Sequence, residues 1–200
     1  LPTITKIVLG ISEYLQNNFV ILFLIILAIL GIYIYLYKNV RSFRKTMQVI
    51  YLHIPVLKNI IMYSEISMFT KTFASLLNHG VYITDSMDVL AKVSENEVYK
   101  DIIMKTVRNL NSGGKISDTF KDNWAIPVVA YEMIVTGENT GQLGPMMEKV
   151  YEYYDNLHSN AITQIKSLVE PFLIVFLAMA VGVIVLAIIL PMFKMYGALS

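Results

Sequence analysis

Cysteine is absent from this sequence, which excludes disulfides and thiolate metal sites and says nothing about compartment. Histidine is scarce: His53, His79 and His158 share no ligand spacing with one another or with carboxylates, so no metal site is expected. Charge is nearly balanced at +1, leaving no electrostatic footing for nucleic acid. Serines are plentiful, yet no G-x-S-x-G elbow and no serine–lysine pair occurs, and no nucleophile is recognisable. Alternating apolar and polar residues are also missing; Val81 to Ile83 is too short to argue for a sheet.

What is present is apolar length. Phe19 to Tyr37 and Pro171 to Phe193 contain no charged residue. As helices they would reach roughly 28 and 34 Å, matching a hydrocarbon slab of ~30 Å. Backbone in lipid must satisfy its own hydrogen bonds, so both read as spanning helices. Each is too long for a signal peptide, and the second lies near the C-terminus. Lys38, Arg41, Arg44 and Lys45 crowd behind the first span, which places the following residues in the cytoplasm. The expected order is therefore an outer loop over 1–18, a span over 19–37 and a basic cytoplasmic connector over 38–63. A cytoplasmic helical domain over 64–168, a second span over 169–193 and an outer tail over 194–200 follow. The first residue is Leu rather than Met, which reads as a piece of a longer protein.

The stretch between the spans, about 130 residues, can bury a core of its own. Ile66, Phe69, Phe73, Leu76 and Leu77 mark a helix that Ser64 can cap and Gly80 can end. A second helix carries Met87, Leu90 and Ala91. Ser94 and Glu97 have capping-box spacing for a third, with Val98, Ile102, Val107 and Leu110. Ile116 and Phe120 mark a short fourth helix, and Pro127 suits the first turn of a fifth. The sixth runs from Leu143 to Leu168 and meets the second span at Glu170-Pro171. The fold class expected is an all-α membrane protein, two transmembrane helices flanking a cytoplasmic antiparallel six-helix bundle.

The phrase GENTGQLG, Gly137 to Gly144, superficially resembles a phosphate loop. Gly137 and Gly141 stand one residue too close together for a P-loop, Gln142-Leu143 replaces Lys-Ser, and Glu138 carries the wrong sign for an anion site. A helix-to-helix corner accounts for the residues better. Gly137 is expected in the left-handed conformation that ends the fifth helix, with Asn139 and Gln142 as a capping box for the sixth. Gly141 and Gly144 are expected where backbones approach closely. Glu138 is expected as an exposed cap, the alternative being a partly buried carboxylate with a partner.

With that corner, the Met- and Tyr-rich helix behind it and EPFLIVFLAMAVGVIVLAIILPMF, the chain resembles the type II secretion system F family. FTKTFASLLNHGVYITDSMDVLAK (Phe69 to Lys92), LHIPVLKNI (Leu52 to Ile60) and the opening LPTIT extend the likeness to essentially the whole chain. Members are inner-membrane platform proteins of type IV pili, type II secretion and DNA-uptake pili, and this chain resembles their C-terminal half. The resemblance implies a non-enzymatic role without a cofactor, in the bacterial cytoplasmic membrane. It implies contact with a hexameric cytoplasmic assembly ATPase, with pilin or pseudopilin subunits and with other inner-membrane assembly proteins. Gly137, Glu138, Gly141 and Leu143 match its signature corner, Gly80 its glycine turn, and Glu170 and Pro171 its approach to the last span.

Ala178 and Gly182 have the small-x-x-x-small spacing that permits close helix contact, with another span or a second copy in a homo-oligomer. Trp124 is expected as a core plug or membrane-surface anchor. Tyr151 and Tyr154 are expected in the core, Tyr153 outside it. The competing reading is a transporter subunit coupled to a cytoplasmic ATPase. The two spans without intramembrane charge weigh against it.

Overall fold

Long uncharged sequence dictates the two arms of the molecule. The computed structural model describes the backbone of residues 3–197 and the side chains of 17–187 and 189. It divides into two units, one made from the arms up to Leu36 and from Ile165 onward, the other spanning Tyr37–Gln164. Helix α1 (Thr3–Asn39) and helix α8 (Leu143–Gly197) supply the arms. Both are long and apolar enough to cross a membrane. Phe19 is 65% exposed, Leu24 58%, Phe172 70% and Phe176 59%, so neither arm is the buried core helix of a soluble protein.

These helices exceed the expected bounds. The loop expected over 1–18 is helical from Thr3, because Ile4, Ile7, Val8, Ile11 and Leu15 repeat at helical spacing. The expected tail over 194–200 is helical as far as Gly197, the last residue described. Helix α8 also runs unbroken through Pro171, since a proline removes only one donor from a ladder that its neighbours sustain.

The second unit contains α2 (Arg41–His53), α3 (Pro55–Asn78), α4 (Ile83–Val93), α5 (Glu97–Asn111), α6 (Ile116–Phe120), α7 (Val128–Thr140) and the start of α8. No strand occurs among the described residues. The six expected helices are α3 to α8, and α2 is an additional one within the stretch read as a connector. Helix α3 starts nine residues before Ser64, at Pro55, whose fixed φ suits a first helical position while Ile54 stays extended.

Gly80 and Gly113 terminate α3 and α5 with φ of +80° and +82°. In each case two backbone bonds close the end: Gly80 N–H to Leu77 O and Val81 N–H to Leu76 O, then Gly113 N–H to Leu110 O and Gly114 N–H to Asn109 O. One core joins the helices. Phe69, Phe73, Met87, Leu90, Ile102, Phe120, Ile134, Met147 and Tyr154 all lie in it. Phe69 packs at a tilt against Phe73 and edge-on against Phe120, both at 5.7 Å between centroids.

The start of α5 differs from expectation. Asn96, not Ser94, is its N-cap, accepting from Val98 N–H at 3.0 Å. Glu97 is released for another task. Its carboxylate accepts from Arg41 Nε at 2.7 Å and from Arg44 Nη2, while its backbone N–H donates to Gln48 Oε1 at 2.7 Å. One helical turn on, Asp101 accepts from Arg41 at 2.9 Å and Lys45 at 2.5 Å. Burial raises the Glu97 carboxyl, but the two guanidinium partners outweigh it and hold the group below its ordinary range. The basic cluster behind the first span thereby fastens α2 to α5. Glu97→Gln is expected to cost on the order of 2 kcal/mol, because Arg44 is only 30% exposed and loses its counter-charge. Amides of residues 41–53 should then exchange hydrogen faster than those of α3; unchanged exchange would remove this docking role.

Candidate functional site

The corner forms where α7 gives way to α8, but its glycines exchange the roles expected of them. Gly141 ends α7, with φ of +69°, and the N–H of Gln142 closes on Gly137 O at 2.9 Å. Gly137 is instead buried inside α7, where a Cβ would lie 3.1 Å from Leu143 Cα and 3.2 Å from Met146 Cβ. Gly141 has open space around the equivalent point. At Gly144 the close neighbour is a side chain rather than the backbone expected, with Asn78 Oδ1 2.3 Å from where a Cβ would stand. The Asn139–Gln142 capping box does not form. Helix α7 continues to Thr140, and Asn139 accepts from Lys115 Nζ at 3.1 Å.

Glu138 is half-buried and partnered, the alternative rather than the exposed cap. Its carboxylate accepts from Ile116 N–H at 2.5 Å, Ser117 N–H at 3.2 Å and Ser117 Oγ at 2.5 Å. These are the first amides of α6, which otherwise lack intrahelical acceptors. Leu143 is 7% exposed and belongs to the core. A shallow cleft of about 360 Å³ brings the corner together with Leu77, Asn78 and Ile83. The glycine turn at Gly80 and the GENTGQLG corner are thus neighbours, although some sixty residues separate them in sequence.

A model of the Type II secretion system (T2SS), protein F family matches residues 69–191, more than half of the chain. The chain belongs to this family. It is also similar to the type IV pilus assembly protein PilC of Thermus thermophilus, 28% identical over 100% of this chain and 49% of that protein. The PilC of Pseudomonas aeruginosa is 27% identical over 98% and 52%, and the type II secretion system protein F of the same organism 24% over 98% and 48%. The chain spans about half the length of these relatives.

None of the other candidate residues singled out in the sequence lines the cleft at the corner. Glu170, Pro171 and Ala178 are exposed on the apolar arm, and among the described residues nothing beyond the adjoining stretch of its own helix lies within 4 Å of a Cβ built on Gly182. Trp124 is 50% exposed, with its ring 5.2 Å from that of His53, and is not a core plug. Tyr154 is buried, Tyr151 half-buried and Tyr153 exposed. The Nδ1 of His79 lies 2.7 Å from Ser75 O, a helix-end contact. No group of three or more metal-ligating side chains occurs among the described residues.

Sequence reading missed Glu65, whose position on α3 carries no motif. Burial, followed by the charge of Glu95, pushes its carboxyl up to about 7 from an ordinary 4.5. A raised value favours folding at low pH: the contribution is full below about 4.5 and is lost as pH rises through about 7. Glu97 and Asp101 act in the opposite sense and in a lower window. Both are held below their ordinary 4.5 and 3.8, so their stabilisation is complete above those values and fades on acidification.

Three outcomes are expected. Glu65→Gln should flatten the stability profile between pH 4.5 and 7 and stabilise the detergent-solubilised protein at pH 8 by about 3 kcal/mol, read by chemical denaturation. A pH-independent offset would contradict the assignment. In the corner, Gly141→Ala should cost about 1–2 kcal/mol through its φ, with Asn tolerated better. Gly137→Leu should cost about 1–3 kcal/mol through overpacking. Full tolerance of either would overturn its assigned role.

Proposed function

We propose that this chain is part of an inner-membrane platform protein of a type IV pilus or type II secretion machine. It would couple a cytoplasmic assembly ATPase to insertion of pilin or pseudopilin subunits. The observation that carries this reading is the protein F family match together with relatives named for pilus assembly or type II secretion across 98–100% of the chain. In this reading α1 and the C-terminal arm of α8 cross the bacterial cytoplasmic membrane, and the unit Tyr37–Gln164 lies in the cytoplasm. The basic residues Lys38, Arg41, Arg44 and Lys45 support that orientation.

Mechanically, the corner is suited to receive force. Glu138 ties α7 to α6, Gly137 and Gly144 let α8 pack closely, and α8 continues as one helix into the apolar arm. A displacement of the corner by the ATPase would travel along that rod to pilins and to other assembly proteins in the membrane. The open face at Gly182 suits a second copy of the chain in a homo-oligomer. The role is contact and motion, with no bond made or broken by this chain.

Glu138→Lys places a cation against the first amides of α6 and should abolish piliation or secretion in the host. It should also reduce recovery of the ATPase with the membrane-embedded protein by at least tenfold. Normal filaments and normal ATPase recovery in this variant would count against a coupling role for the corner.

A further inference from the structure

We infer that a polar cleft beside the end of α1 binds the phosphate-bearing headgroup of an anionic phospholipid, most suitably one with a hydroxylated headgroup. The cleft measures about 660 Å³ and lies wholly within the unit Tyr37–Gln164. Tyr37, Lys38, Arg44, Glu65, Ser94 and Lys100 are among its walls. The inference rests on α1 crossing a membrane and is independent of which machine the protein serves.

Unmet hydrogen-bonding capacity is the first reason. Arg44 Nε, Ser94 Oγ and Glu65 Oε2 are buried without a partner, three of the four such side-chain atoms among the described residues. Ser94 as a whole is 2% exposed. Folded proteins rarely leave such groups unpaired, still less on three residues that line one cleft. Arg44 Nε and the Ser94 hydroxyl are donors, and a phosphate diester offers acceptor oxygens to both. Glu65 can pair with a headgroup hydroxyl in either protonation state, donating when it carries its proton and accepting when it does not.

Charge is the second reason. Lys38, Lys92 and Lys100 line the same cleft, and none has an ion pair among the described residues. Of the acidic residues lining it, Glu97 is already engaged by Arg41 and Arg44. Burial pushes the Glu65 carboxyl up to about 7, so near neutrality it carries only part of a charge, and Glu95 is the one full opposing charge left unengaged. The balance favours an anion.

Position selects a lipid over a soluble phosphate. Tyr37 closes the uncharged stretch, Lys38 is the first charge after it, and both line the cleft. Headgroups occupy that level, where aromatic residues and lysines are the usual anchors. Basic pockets on the cytoplasmic side of membrane helices are recognised lipid sites.

The test is native mass spectrometry of the whole chain in non-ionic detergent, titrated with phosphatidylglycerol or phosphatidylcholine. Phosphatidylglycerol should be retained and phosphatidylcholine lost. Replacing Lys92 and Lys100 together by Ala should weaken phosphatidylglycerol binding roughly thirtyfold, and Lys92→Ala alone about fivefold. Lys92 is exposed, so the single variant decides the matter should the double variant lose its helical circular dichroism. Equal retention of both lipids, or undiminished phosphatidylglycerol binding by a folded variant, would overturn the inference. Displacement of phosphatidylglycerol by micromolar glycerol 3-phosphate would also overturn it, assigning the cleft to a soluble phosphate ester.

Discussion

Helices α1 and α8 expose apolar side chains along their arms, and water offers such surfaces no stable state. An apolar solvent does, on one condition: every backbone polar group must be bonded within the segment, which an uninterrupted helix achieves. That requirement accounts for the continuity of both elements better than local propensity does. Gly31 and Pro171 both lie within unbroken helix. The same constraint explains why the polar chemistry of the described residues gathers between Tyr37 and Gln164.

In that polar unit, carboxylates do what long helices do elsewhere. Helix α6 has five residues, too few for much internal hydrogen bonding. Glu138 from α7 takes its first two amides, and Asp118 takes the N–H of Lys115 at 2.8 Å. Helix α2 buries only Gln48 and Leu52, a small apolar contribution, and is held to α5 by Glu97 and Asp101. Ionic and hydrogen-bonded contacts have strict geometry, so they fix the register between elements that the apolar core alone would leave loose. The core itself supplies the bulk of the folding energy, through Phe69, Phe73, Met87 and Met147.

Much of this was legible in the sequence. The apolar arms are composition, and the inward faces of α3 to α8 are a spacing of three and four; neither depends on distant residues. What escaped was set by tertiary partners. Nothing local distinguishes Gly137 from Gly141, yet the first sits against Leu143 and the second carries the left-handed turn. Ser94 and Glu97 have the spacing of a capping box, but Asn96 sits closer to the helix start and Glu97 has two arginines awaiting it some fifty residues earlier. Glu138 was read as a cap on its own corner because its partners on α6 cannot be inferred from neighbouring residues. The helix inside 38–63 was legible as well, since Arg41, Arg44, Lys45 and Gln48 fall on one helical face.

Gly137, Gly141 and Gly144 stand where they do for reasons of close packing, backbone sign and the nearness of Asn78 respectively. Loss of function on replacing any of them would report on folding before it reported on a partner. Leu143 is core, and the same holds for it. Glu138 is intermediate, since its carboxylate both orders α6 and borders a cleft open to other molecules. Thr140 and Gln142 are exposed on the same turn, and Thr140 Oγ1 donates to Thr136 O in its own helix. Substitutions there disturb little inside the unit, so a defect that follows from them with stability intact belongs to contact with another molecule. The exposed side chains between the glycines, rather than the glycines themselves, separate a surface that is touched from a joint that is merely well built.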